Sequence, residues 1–352
     1  MTIAAQLLAI DNARHAIVNS LRNRGSSIAA DAGLVDVPGA LQHFPVQALP
    51  ADYPDLSVGF VLGQVWGTVK VSPDSYDNWV TLRGTAGGGL TIDWGDGSAP
   101  EWTATSTDIS HQYAWANAGP TLSDGGRACV LKVTSVNPIT SMNLSKRPAA
   151  WAADEGHPSI WLDLRIDVPS CNSFSFGSTG NTTITQSNLR RVALLRNAIT
   201  SLSGMFSMCS SLVEVTDFTA TSATSGLSIF NQCRSLSKLP ASMNFGNITA
   251  LTNLFSGCSA LVQAPSITCL PTATSASMFA NTLAMTKLPT TVTGLTKAFA
   301  VTFAPISSGE LNRFFGVLPT VTGSPLITLT GVAGYAAANK TIATGKGWTV
   351  SG

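Results

Sequence analysis

The sequence predicts a mixed, β-rich fold in which an N-terminal helix is followed by a region of short strands and then by a repeat solenoid. Three observations carry this prediction. Apolar residues stand at heptad spacing near the N-terminus, short β-type runs fill the middle, and a repeat of 24–25 residues occupies the second half. With 352 residues, the chain is long enough for two or three domains.

Residues 2–24 have the pattern of an amphipathic helix whose apolar positions form a heptad seam. Two interpretations remain open, because three heptads are only marginally stable alone. The helix packs on its own domain, or it forms a short coiled coil between copies of the chain. Residues 26–57 are punctuated by prolines and predict an extended arm, so 1–57 form one N-terminal region of helix and arm. The seam residues are Ile3, Leu7, Ile10, Arg14, Ile17 and Leu21.

Residues 58–137 contain short β-type runs, one of which enters a tight turn before a second motif, His-Gln-Tyr. The pair resembles the polycystic-kidney-disease-type (PKD) β-sandwich, in which a WGDG turn precedes an H-x-Y strand. The resemblance implies an immunoglobulin-like sandwich used for spacing and interaction. An insertion at 114–127 departs from the family pattern. The motif residues are Asp93, Trp94, Gly95, Asp96, Gly97, His111 and Tyr113.

Asp93 and Asp96 flank the tight turn and allow two interpretations. They could form a Ca²⁺ ligand pair, or they could accept hydrogen bonds from the backbone amides of the turn itself. A protein Ca²⁺ site needs about six to eight oxygen ligands, which favours the capping role. His111 is expected to hold a strand or turn by hydrogen bonding.

The second half of the chain carries an internal repeat in which phenylalanines are separated by 24, 25 and 24 residues. A cysteine follows the first three phenylalanines by three residues, and a leucine or methionine follows all four by six. Each unit has one apolar edge, so neighbouring units must stack, and equivalent side chains should form ladders about 4.8 Å apart. The ladder residues are Phe206, Cys209, Leu212, Phe230, Cys233, Leu236, Phe255, Cys258, Leu261, Phe279 and Met285.

The repeats, for example Met205–Leu212, resemble the BspA-type leucine-rich repeat with its "MF-x-x-C-x-x-L" core. The resemblance implies a right-handed solenoid, placed here at 138–300, and residues 301–352 are expected to cap it. With both resemblances, the predicted order is an N-terminal helix, an immunoglobulin/PKD-like β-sandwich at 58–137, and a leucine-rich-repeat-type solenoid with a C-terminal cap.

The ladder cysteines are expected to be reduced, buried and small rather than paired or metal-bound. Three of them cannot pair evenly, and Thr282 takes the same position in the fourth repeat. None of the six cysteines forms a C-x-x-C motif, which argues against a zinc site.

Composition excludes several classes of function. Charged residues make up 11% of the chain and the net charge is +1, which argues against nucleic-acid binding. No apolar run is long enough for a transmembrane helix, and the N-terminus lacks a secretory pattern, so we expect synthesis in a cytoplasm. No catalytic, nucleotide or metal motif is present, so no enzymatic activity, cofactor or metal is predicted.

Three segments resemble the ends of bacteriophage tail-fibre and baseplate-associated proteins: Leu7–Gly25, Leu34–Pro38 and Ala343–Gly352. The resemblance implies a virion protein of the phage tail, attached by its N-terminus to other tail or baseplate proteins. Its solenoid would bind a host cell-surface glycan or protein, and the usual symmetry of tail fibres implies a homotrimer. Three alternatives remain: a purely structural collar, decoration or baseplate part, a bacterial surface adhesin, and a depolymerase.

Overall fold

The computed structural model describes residues 51–73, 78–123, 125–146, 160–176 and 188–352. All of them belong to one compact unit, Gln47–Gly352. The predicted N-terminal helix with its heptad seam lies outside the described residues, as does the arm up to residue 50. Within the described residues, the chain forms eighteen strands and two helices.

The first seven strands form two antiparallel sheets that share one apolar core. In β6, buried and partly exposed residues alternate, as expected for a strand with one face on a core. Val69, Leu82 and Leu131 come from different strands and are all fully buried in the same cluster. The strands are β1 (Val65–Val71), β2 (Trp79–Ala86), β3 (Leu90–Asp93), β4 (Glu101–Thr103), β5 (Ile109–Gln112), β6 (Arg127–Thr134) and β7 (Ile139–Lys146).

The rest of the chain is a β-solenoid of about seven turns. Its strands pair in parallel with the equivalent strands of neighbouring coils. The elements are β8 (Trp161–Val168), β9 (Ser173–Ser175), β10 (Arg191–Asn197), β11 (Glu214–Phe218), β12 (Ser242–Phe245), β13 (Ser266–Cys269), β14 (Ser275–Phe279), β15 (Val292–Thr293), β16 (Phe299–Val301), α1 (Ser308–Val317), β17 (Leu326–Thr328), α2 (Thr341–Thr344) and β18 (Thr349–Ser351).

The two parts are joined by continuous hydrogen-bonded sheets. Strand β8 pairs antiparallel with β1 on one side and parallel with β10 on the other, which gives the order β11-β10-β8-β1-β6-β3-β4. Strand β9 pairs in parallel with β7, which extends the second sheet to β5-β2-β7-β9. The first coil of the solenoid therefore covers one edge of each antiparallel sheet, and β4 and β5 form the opposite edges.

The structure differs from the predicted boundaries at two places. Strand β7 pairs along β2, so the antiparallel part continues past residue 137 instead of ending there. At the other end, β16, β17 and β18 continue the parallel stack of β14. Residues 301–352 thus extend the solenoid, because their backbones keep hydrogen-bonding from coil to coil.

Each coil turns at a tight arc around its phenylalanine. A residue with positive φ precedes the phenylalanine by two positions and another follows it by two, as with Ser228 and Gln232 around Phe230. Within the arc, the Phe230 backbone N–H donates to Leu254 O of the next coil over 3.1 Å. These inter-coil bonds hold the arcs in register and direct the phenylalanine rings inwards.

Candidate functional site

The turn predicted from the WGDG motif is closed by its own carboxylates. Asp93 Oδ1 accepts from the backbone N–H of Gly95 over 3.0 Å, and Asp96 Oδ1 accepts from the N–H of Ser98 over 3.1 Å. Gly95 and Gly97 have φ of 75° and 84°, in the left-handed region that favours glycine. Both aspartates therefore cap backbone amides of the turn.

His111 fastens this turn to a neighbouring strand. Its Nε2 lies 2.8 Å from Asp96 Oδ2, and its ring stacks on Trp94 with centroids 4.7 Å apart. The buried Tyr113 hydroxyl donates to the Trp94 carbonyl over 3.1 Å. Burial alone would raise the pKa of Asp96, but hydrogen bonds from Ser98 and His111 lower it below its ordinary value. The polar atoms of this cluster are engaged with one another, so the cluster stabilises the turn.

The phenylalanine ladder lies inside the solenoid. Consecutive rings stack with centroids 5.6, 5.6 and 5.9 Å apart and interplanar angles of 12°, 4° and 12°. The leucine and methionine positions of the ladder are also fully buried. These side chains form the packing core of the repeat and offer no surface to a ligand. The stacked rings are Phe206, Phe230, Phe255 and Phe279.

All six cysteines are buried free thiols. The Cys233 and Cys258 thiols donate to backbone carbonyls of the preceding coil over 2.9 and 3.1 Å. Thr282, in the equivalent position, donates to a carbonyl of its own coil over 2.9 Å. Desolvation keeps these thiols protonated and poorly nucleophilic. It raises the pKa to about 11 at Cys129, Cys171 and Cys269, and further at Cys209, Cys233 and Cys258.

A charge ladder on successive coils was not predicted from the sequence. Arg191 pairs with Asp163 of the preceding coil, with Nε and Oδ2 2.9 Å apart, and Lys238 Nζ lies 3.9 Å from Glu214 Oε1. The sequence carries a weak signal for it, because Glu214 follows Arg191 by 23 residues and Lys238 follows Glu214 by 24, so the sign of the charge alternates. The largely exposed Lys238–Glu214 pair contributes little stability, whereas the carboxylates of Asp163 and Glu310 are buried and costly to leave unpaired. Like charges in register would repel. The ladder comprises Asp163, Arg191, Glu214 and Lys238, is interrupted by the uncharged Gln263, and resumes with Lys287 and Glu310.

An exposed row of threonines also follows the solenoid axis, with one threonine in each of four coils. The backbone N–H of each of the last three donates to the carbonyl of the threonine before it, over 2.9, 3.0 and 2.9 Å. This backbone pairing fixes the spacing of the hydroxyl groups along the surface. The threonine row consists of Thr200, Thr224, Thr249 and Thr274.

A polar groove of about 240 Å³ opens at the N-terminal end of the threonine row, between β9 and the first arc. None of its described lining residues carries a charge, and hydroxyl and amide groups dominate the lining. Such groups exchange hydrogen bonds with a neutral polyol and do not attract ions. The groove is lined by Asn172, Ser173, Phe174, Ser175, Phe176, Thr200, Ser201, Ser203, Gly204 and Met205.

Among the described residues, no three His, Cys, Asp or Glu side chains come together in a way that could hold a metal ion. No helix in the described ranges has the length and apolar character needed to span a membrane.

Comparison of the chain with protein-family models, curated proteins and solved structures found no match. The likenesses to PKD-type sandwiches, BspA-type repeats and phage tail proteins therefore rest on the sequence motifs quoted above. What the structure contributes is the solenoid, its junction with the antiparallel sheets, and the two polar features on its surface.

Proposed function

We propose that the protein is a structural component of a bacteriophage tail, either tail-fibre or baseplate-associated, that displays its solenoid for attachment to a host-surface glycan. The N-terminal region attaches to other tail or baseplate proteins, and the chain acts as a homotrimer. The observation that best supports host binding is the uncharged threonine row leading out of the polar groove.

A repeated surface suits a repeated ligand. Successive coils present equivalent threonine hydroxyl groups about 4.8 Å apart, and a polysaccharide presents equivalent hydroxyl groups along its own length. Thr200, Thr224 and Thr249 donate their hydroxyl protons to carbonyls of the preceding coil, so their oxygens would serve as acceptors for the sugar hydroxyls. Each contact between neutral hydroxyl groups is weak, since hydrogen bonds to water are lost when it forms. Several weak contacts on one chain, multiplied over three chains, give useful avidity. The proposed binding is non-covalent and uses no cofactor.

The test uses the full-length protein, host cells, and virions that lack the protein. We expect saturable binding to cells that is competed by extracted surface polysaccharide. The double variant Thr224→Lys/Thr249→Lys places two bulky charges in the threonine row and should lose at least about tenfold in affinity, equivalent to about 1.4 kcal/mol. Thr268→Lys, at an exposed threonine of β13, serves as the matched control and should bind like the wild type.

A second candidate is a purely structural virion part such as a collar, decoration or baseplate protein. It is favoured by β18, which pairs with β17 alone among the described strands and so leaves one edge open. An open parallel edge can accept a strand from another virion protein. Binding to the protein-deficient virions without binding to cells would support this candidate and contradict the host-binding function.

A further inference from the structure

A second cavity, of about 250 Å³, lies where residues 55–57 meet the outer face of β8, β10 and β11. It contrasts with the polar groove because five of its lining side chains are ionisable. We refer to it as the charged cavity. It is lined by Asp55, Leu56, Ser57, Asp163, Leu164, Arg165, Arg191, Ala193, Thr216 and Asp217.

The strand register places two opposite charges on either side of a small residue. Arg165 on β8 pairs with Ala193 on β10, and Ala193 pairs with Asp217 on β11. Because adjacent strands lie about 4.8 Å apart, the Arg165 and Asp217 backbones are about 10 Å apart with only a methyl group between them. The row forms a trough with a cationic wall and an anionic wall.

The cationic wall contains N–H donors of Arg165 that no other side chain among the described residues uses. The Arg165 side chain makes no hydrogen bond or ion pair with the described part of the chain, and its Nε is buried without a partner. Its guanidinium lies over the ring of Phe60, 5.0 Å from the centroid, which holds the group in place. Arg191, in contrast, is already engaged by Asp163. The buried Nε is out of reach of a ligand, so a carboxylate in the cavity would bind the terminal nitrogens of the partly exposed guanidinium.

The anionic wall accepts hydrogen bonds. The Asp217 carboxylate has no hydrogen-bond or ion-pair partner among the described residues, whereas the Asp55 carboxylate already accepts from the Ser57 N–H over 2.9 Å. Aspartate oxygens accept from hydroxyl groups. The cavity is smaller than the roughly 300–1,000 Å³ of sites for drug-sized ligands, so it suits a single sugar ring.

We propose that the charged cavity binds one hexuronic acid unit, with the sugar carboxylate on Arg165 and the ring hydroxyls on Asp217 and its neighbours. This inference rests on the proposed function, because it names an acidic sugar as part of the host-surface glycan. The polar groove and threonine row would then contact the neutral units of the same polysaccharide.

The experiment is isothermal titration of the full-length protein with D-glucuronate, D-galacturonate, D-glucose, D-glucosamine and inorganic phosphate. One of the two uronates should bind at one site per chain, and glucose at least about tenfold more weakly, since a charge-assisted bond is worth about 1.5–3 kcal/mol. Arg165→Gln should lose at least about tenfold in uronate affinity, and Arg165→Lys should lose less because it keeps the charge. Arg234→Gln removes an exposed arginine elsewhere and should leave binding unchanged.

Several outcomes overturn the inference. Uronate binding no stronger than that of glucose, glucosamine or phosphate would do so, as would wild-type affinity in an Arg165→Gln variant with an unchanged melting temperature. The cell-binding assay separates this failure from that of the proposed function. Saturable cell binding without uronate binding rejects only the charged cavity, whereas uronate binding without cell binding rejects the host-binding function and retains the site.

Discussion

Gly95 and Gly97 share one tight turn and the same left-handed conformation, but only Gly95 is enclosed. A Cβ atom at Gly95 would lie 2.3 Å from the Val130 carbonyl oxygen, whereas a Cβ at Gly97 would meet nothing within 4 Å. We expect Gly97→Ala to cost about 1–2 kcal/mol from backbone conformation alone. Gly95→Ala should cost clearly more, because the turn must also move away from β6.

Urea unfolding of the two alanine variants measures this difference. The Gly95→Ala variant should also lose the near-ultraviolet signal of the Trp94–His111 stack, which the turn holds together. Equal losses of stability in the two variants would mean that the turn relaxes without strain, and would contradict the structural role given to the motif.

Glu310 makes folding stability depend on pH. Its side chain accepts from the Leu288 N–H over 2.8 Å and from Arg313 Nε over 2.9 Å. Burial raises the pKa of Glu310, but these hydrogen bonds outweigh it and lower the pKa below its ordinary value of 4.5. The ionised group therefore stabilises the fold above the unfolded-state pKa, and this contribution is lost as the pH falls through the lower folded-state pKa.

Replacement of Glu310 by glutamine tests this dependence. We expect a loss of about 1–3 kcal/mol at neutral pH, because Leu288 and Arg313 lose a charged acceptor. The difference from the wild type should shrink at acidic pH, below the folded-state pKa, because protonated Glu310 resembles glutamine. Thermal melts at the two pH values provide the measurement, and an equal loss at both would show that the charge of Glu310 is not what stabilises the fold.

At the scale of the coil, the phenylalanine ladder should carry much of the packing energy. Phe255 is fully buried between two stacked rings, whereas Phe303, also near the turn of a coil, is 54% exposed. We expect Phe255→Ala to cost about 3–5 kcal/mol and Phe303→Ala about 0.5 kcal/mol or less. Denaturant midpoints measure both, and a small loss for Phe255→Ala would mean that the coils hold together mainly through backbone hydrogen bonds.

Sequence reasoning found this ladder because an inward position must stay apolar in every coil. The repeat cannot be followed in the sequence beyond Phe279. In the structure Val301 pairs with Phe279 in the next coil, at a spacing of 22 residues. A valine fills the position without matching the phenylalanine pattern, and α1 then replaces a strand. The charge ladder and the charged cavity could not be predicted from the sequence for a related reason. Surface positions accept many residue types, so charged residues at these positions form only a weak sequence repeat.

At the scale of the whole molecule, the sequence indicated both halves but not how they join. Residues 138–185, which include β8, carry no recognisable sequence motif. Strand β8 pairs with β1, which lies almost a hundred residues earlier in the chain. The sequence of neither strand identifies its pairing partner, because the partner depends on which sheet edges remain open. Gly67 and Trp161 show how closely the two strands fit, since the tryptophan ring occupies the space that a side chain at Gly67 would need.

This junction predicts that the antiparallel sheets and the solenoid lose stability together. A Cβ atom at Gly67 would lie 2.2 Å from the buried Trp161 ring, so Gly67→Ala must displace the ring, at a cost of about 1–3 kcal/mol. Hydrogen exchange should then accelerate in both β6 and β10, on opposite sides of the junction, with one unfolding transition. Gly316→Ala, in α1 with open space around it, is the control and should stabilise by up to about 1 kcal/mol. Faster exchange in β6 alone would show that the shared sheet does not couple the solenoid to the sheets it covers.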